Sequence, residues 1–239
     1  MIEFEIDGYL YFTGEWQLRL EDDLVYQVPS DLLVTIRNGP EDNRLDISLK
    51  VLADDKDSAV IRAENELERI SNLVSWFYDV PITNWKINRI LEKKGSQIWR
   101  IHSLPVSAIL SKVKTLGERE IENLKRGLTK NYPDDFEEIL MMWRQALTEE
   151  SKGLKFFLFY RILEKLCGDR SRVDEFVRSQ INNVKEMDNR QGRKVTIFTY
   201  LRDNIHPKRP EFPYREIGQC LPQLQHLVRK KIEEVFSPY

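Results

Sequence analysis

Between residues 2 and 51 the apolar positions come in short or alternating runs separated by turn residues, a pattern that predicts β-strands. Trp16-Gln17-Leu18-Arg19-Leu20 alternates with period two. Residues 24–28 stop at Pro29, and residues 32–36 stop before Asn38-Gly39-Pro40. Leu45, Ile47, Leu49 and Val51 place every second residue of their run on one face. Asp22-Asp23, between two of these runs, suits a hairpin turn. The expectation is an antiparallel meander with one buried face.

The period then changes. Asp57-Ser58 can cap a helix whose apolar positions, Val60, Leu67, Ile70, Leu73, Val74 and Phe77, recur at three or four residues until Asp79-Val80-Pro81. Strand-like runs follow at 85–91 and 97–101, joined through Lys93-Lys94-Gly95. Residues 1–115 therefore read as an α+β domain, a sheet with a packed helix. From residue 116 the pattern is helical, with segments at 118–129, 134–148, 154–167, 171–186, 194–205 and 214–236. Ser171 with Asp174 resembles a capping box, and residues 188–192 form a loop. Short connections between amphipathic helices predict an antiparallel bundle over 116–239.

Composition narrows the class. The chain has 239 residues, 41% of them hydrophobic, enough for two small domains with real cores. No run of about 18 apolar residues occurs, which argues against a membrane-spanning helix. The start, Met1-Ile2-Glu3-Phe4-Glu5, carries acids where a secretory signal needs Lys or Arg. Cys167 and Cys220 lack metal-ligand spacing and read as buried structural thiols. The expectation is a soluble protein of a reducing compartment, the bacterial cytoplasm. The net charge of −2 conceals an asymmetry. Residues 1–150 hold 19 Lys+Arg against 28 Asp+Glu (−9), and residues 151–239 hold 18 against 11 (+7). Such a basic half suits a surface that faces nucleic acid, a part that attracts the acidic half, or a solvated face of mixed charges.

Candidate chemistry is sparse. The sequence has no Gly-rich phosphate loop, nucleophile elbow or Cys/His metal cluster, and no cofactor motif. Its three histidines are His102, His206 and His226. The first falls in a loop and the last on a helix face. His206 closes the stretch Leu201-Arg202-Asp203-Asn204-Ile205-His206, four residues after Arg202, before Pro207 ends the helix. An imidazole that moves a proton and a guanidinium that grips phosphate together suit phosphodiester chemistry. Lys208, Arg209 and Arg215 follow His206 in sequence and suit either RNA phosphates or a solvated loop. The other reading of the pair is a helix cap, with Arg202 paired to Asp203 or another acid.

Two stretches resemble the HEPN superfamily, and within it the Apea-like branch. The first is the aromatic-rich run Phe156-Phe157-Leu158-Phe159-Tyr160-Arg161-Ile162-Leu163-Glu164, similar to that family's Tyr-x-x-x-Glu helix. The second is Arg202-Asp203-Asn204-Ile205-His206 before a long last helix, similar to its Arg, polar residue, spacer, His signature. The resemblance spans roughly residues 135–236. It implies a helical bundle, a homodimer formed through that bundle, and RNA or a nucleotide as partner. In active members it implies a metal-independent endoribonuclease, common in antiviral defence and toxin systems. The catalytic roles then fall to Arg202, Asp203 and His206, with Tyr160 and Glu164 in support. The family usually places four to six residues between Arg and His, whereas this sequence has three. Each deletion turns the His by about 100° on a helix. The alternative is therefore a HEPN-like module that binds and dimerises without cleaving.

Overall fold

The computed structural model describes residues 1–12, 16–28, 32–41, 43–92, 112–205 and 214–236. The chain is α+β and divides into two compact units, Met1–Pro133 and Asp134–Tyr239.

In the first unit, β1 (Ile2–Phe12), β3 (Leu24–Val28), β4 (Leu32–Asn38), β5 (Arg44–Ala53) and β6 (Ile82–Glu92) form one antiparallel sheet. Its strand order is β3-β4-β5-β1-β6. The meander β3-β4-β5 is thus extended by the first strand of the chain. Period-two alternation aims Phe4, Ile6, Leu10 and Phe12 of β1, with Leu45, Ile47, Leu49 and Val51 of β5, into the core. Helix α1 (Lys56–Tyr78) joins β5 to β6 and packs on β1, β5 and β6. The Asp55 side chain caps it by accepting from the Ser58 N–H (2.7 Å), two residues before the expected cap. Gly8 lies where the β1–β6 register shifts, and a Cβ there would sit 2.8 Å from the Lys86 carbonyl oxygen.

Asp22-Asp23 does not close a hairpin. Strand β2 (Trp16–Leu20) pairs in parallel with β7 (Lys112–Leu116) in a separate two-stranded sheet, while β3 pairs with β4. The Asn38 side chain explains how β2 is held. Its amide accepts from the Leu20 N–H and donates to the Leu20 carbonyl, both at 2.8 Å, using both backbone groups of that residue.

Helix α2 (Glu118–Thr129) belongs to the sheet unit, so the division falls after Pro133 rather than at 115/116. It packs on α1 and β3, with Gly127 against the Phe77 ring, and the Tyr78 hydroxyl donates to the Glu120 carbonyl (2.8 Å). The strand expected at 97–101 lies outside the described residues.

The second unit holds α3 (Asp134–Thr148), α4 (Lys152–Cys167), α5 (Arg170–Gln180), α6 (Ile197–Asn204) and α7 (Tyr214–Phe236). Helix α4 touches each of the other four. Trp143, Phe156, Phe159, Tyr160 and Phe198 fill this core, with Trp143 and Phe159 edge to face at 5.0 Å. The helix expected over 171–186 stops at Gln180. Beyond it Asn183 has a left-handed backbone (φ 57°), and β8 (Glu186–Asp188) pairs with β9 (Lys194–Thr196) around the expected loop. Asp169, not Ser171, caps α5, and Thr196 caps α6. Counted over this unit, 19 Lys+Arg face 17 Asp+Glu, a charge of +2. The acids of α3 and the Glu149-Glu150 pair cancel most of the basic excess seen downstream of residue 150.

Among the described residues no helix is long and apolar enough to cross a membrane.

Candidate functional site

Tyr160 and Glu164 are four apart on α4 and so share one helix face. Arg202 and Asp203 lie in the last turn of α6, and Arg170 opens α5. The packing of α5 and α6 on α4 brings these residues together. Arg202 Nη2 lies 3.5 Å from Glu164 Oε2, and Arg202 Nη1 donates to Asp203 Oδ1 at 2.9 Å. Arg170 reaches the same two acids, with Nε 3.4 Å from Glu164 Oε1 and Nη1 3.1 Å from Asp203 Oδ1. Arg161, one turn back on α4, places Nη1 3.6 Å from Glu164 Oε2. Glu164 therefore carries three guanidinium neighbours, and Asp203 carries two.

The cluster is graded in exposure. The side chains of Arg202 and Glu164 are 14% and 19% exposed, whereas Arg161 and Arg170 are about half exposed at 53% and 49%. Arg202 also lies over aromatic rings, its guanidinium carbon 5.8 Å from the Phe157 centroid and 5.9 Å from that of Tyr160. A buried cation needs such partners. Its charge is met within its own unit.

The Tyr160 hydroxyl turns away from this cluster. It lies 2.7 Å from Thr199 Oγ1, which itself donates to Asp174 Oδ1 at 2.7 Å. A threonine hydroxyl has one proton, so Tyr160 is the donor to Thr199. Asp174 Oδ1 also accepts from the Thr196 hydroxyl (2.6 Å) and backbone N–H (3.1 Å). Burial pushes the Tyr160 phenol well above its ordinary range, and the Asp174 and Glu164 charges add to the shift. Asp174, expected as part of a cap, is instead the buried acceptor of this network.

Two clefts flank the cluster. One of about 740 Å³ is lined by the cations Arg161, Lys165 and Arg170 and the acids Glu138, Glu164 and Asp169, and one of about 440 Å³ by Arg170, Arg190, Tyr200 and Asp203 among others. Arg170 is the residue they share.

Of the residues singled out from the sequence, Arg202, Asp203, Glu164 and the ring of Tyr160 are brought together. Arg215 is exposed in the first turn of α7. His206, Lys208 and Arg209 lie outside the described residues. Arg170 was not anticipated, because no helical spacing connects it to Glu164 or Arg202; only the fold does. Cys167 and Cys220 are free thiols, half-buried, and burial pushes both up from the ordinary thiol range. Among the described residues no group of His, Cys, Asp and Glu is arranged to hold a metal ion.

Comparison of the chain with protein-family models, curated proteins and solved structures gives no match.

Proposed function

We propose that the helical unit is a HEPN-like module that binds the phosphate groups of RNA or of a nucleotide and dimerises, with Arg202 as the ion-paired centre of the site rather than a free catalytic clamp. The observation that carries this reading is the convergence of Arg161, Arg170 and Arg202 on Glu164, with Asp203 the second acid. Arg161, Arg170 and Arg202 outnumber Glu164 and Asp203 by one charge, and the first two line a cleft that also holds Lys165, Glu138 and Asp169. Arg202 is the least exposed of the three and is paired with both Glu164 and Asp203, which suits a structural role.

The sequence departs from the active family pattern in the same sense, with three residues between Arg202 and His206. RNA binding by the full chain at low salt, with a steep salt dependence, and a dimer in light scattering are the expected results. Absence of binding to structured RNA, tRNA and nucleotides alike would remove this reading.

A second reading, a metal-independent endoribonuclease of an antiviral defence or toxin-type system, is favoured by one observation. Arg202 and Asp203 sit on the last turn of α6, which precedes His206 in the chain, and Asp203 lines the smaller cleft. Cleavage of RNA by wild-type protein that is lost in His206→Ala and Arg202→Ala would establish it over the first.

A further inference from the structure

The geometry points to a subsite for a terminal phosphate group, a phosphomonoester, in the cleft between α4 and α5, held by Arg161 and Arg170. The inference rests on the phosphate-binding reading above and names which kind of phosphate the site takes.

Hydrogen-bond donors outnumber acceptors here. The three arginines approach Glu164 at 3.4 to 3.6 Å, each longer than the roughly 2.7–2.9 Å of a good charge-assisted bond. Glu164 Oε2 accepts no hydrogen bond, and Arg202 Nε, buried, donates none. Glu164 is thus an undersized counter-ion for the cations around it. Arg161 and Arg170 expose about half of their side chains and line the 740 Å³ cleft, a volume typical of small-ligand sites. Lys165 lines it too but is paired with Glu138.

The donors not used on Glu164 and Asp203 favour a particular anion. A guanidinium offers five N–H groups in a planar fork that suits two oxygens at once. Two such forks match the three free oxygens and near-dianionic charge of a terminal phosphate better than an internal diester, with two free oxygens and one charge.

The test compares a short 3′-labelled RNA carrying a 5′-phosphate with the same RNA carrying a 5′-hydroxyl, by fluorescence anisotropy on the full chain. A parallel arm measures the thermal shift given by AMP against adenosine. The 5′-phosphate should tighten binding about tenfold, which is about 1.4 kcal/mol. Arg161→Gln and Arg170→Gln should each bring that tenfold preference close to one, weakening the 5′-phosphate RNA more than the 5′-hydroxyl RNA. Both substitutions are at half-exposed positions, and circular dichroism with a melting curve reports whether each variant is folded. Equal binding of the two RNAs by wild type overturns the subsite and leaves RNA binding standing. No RNA binding, with an AMP shift lost in Arg170→Gln, supports the subsite for a mononucleotide instead. No binding in either arm overturns both readings.

Discussion

Arg202 on α6 and Glu164 on α4 face each other with Nη2 and Oε2 3.5 Å apart, both side chains more than four-fifths buried. Each also has other partners: Asp203 for the arginine, Arg161 and Arg170 for the glutamate. Removing either charge leaves the other buried with fewer counter-ions. Arg202→Ala and Glu164→Ala should each destabilise the helical unit by about 1–3 kcal/mol, below the largest buried-pair losses because the remaining partners persist. The double variant should cost less than the sum, with a coupling of about 1 kcal/mol. Urea unfolding of the four proteins of this cycle checks it. Strict additivity would mean that the pair contributes nothing.

Gly127 sits on α2 where a Cβ would meet the Phe77 ring at 2.5 Å. Alanine gains about 1 kcal/mol of helix propensity, but the overlap with an aromatic ring on α1 costs about 1–3 kcal/mol. Gly127→Ala should therefore lower the melting temperature, and Phe77→Leu in the same chain should recover part of the loss. A Gly127→Ala protein as stable as wild type would show that the ring moves aside freely.

The sequence readily revealed the elements and concealed their partners. The helices at 118–129, 134–148 and 214–236 appear at the positions their periodicity predicts, because each buries one stripe and ends at a Pro or polar break. Periodicity does not say which strand lies beside which. Trp16–Leu20 has the right alternation for a hairpin with Leu24–Val28, yet it is held by the Asn38 side chain and pairs with residues almost a hundred positions away. The site divides in the same way. Tyr160 with Glu164, and Arg202 with Asp203, could be read from helical spacing, but their mutual contact needs α6 to pack on α4. Arg170 carried no spacing signal, since it bridges α4 and α6, and the spacing of Asp174 from Ser171 suggested a cap where the side chain turns inward from α5.

Burial raises the phenol pKa of Tyr26, Tyr78 and Tyr160 above the ordinary value near 10. In each case the fold holds the proton more tightly than the unfolded chain. Their contribution is therefore fully present below about pH 10 and is lost as pH rises through the folded-state values. The melting temperature should stay level from neutral pH to about 9 and fall steeply above 10. Tyr160→Phe should flatten that fall, because phenylalanine has no proton to lose. An unchanged alkaline slope in this variant and in Tyr26→Phe would mean that other groups govern the transition.

Asp174 and Tyr160 stand at opposite ends of one hydrogen-bond chain, with Thr199 between them. Their removal should differ in cost. Tyr160→Phe deletes the donor at the end of the chain and leaves Thr199 still donating to Asp174, a loss of about 1 kcal/mol. Asp174→Ala withdraws the acceptor from three donors at once, the Thr196 N–H, the Thr196 hydroxyl and the Thr199 hydroxyl. Both threonines are buried, so water does not replace it readily. A loss of about 3 kcal/mol or more follows, together with loosening of α6, whose first turn depends on Thr196. Hydrogen exchange at residues 197–204, measured beside equilibrium unfolding, distinguishes the two. Faster exchange there in Asp174→Ala but not in Tyr160→Phe is expected, and α6 then carries Arg202 with it. The Asp174→Ala variant should accordingly weaken phosphate binding without touching an arginine, whereas Tyr160→Phe should leave it intact.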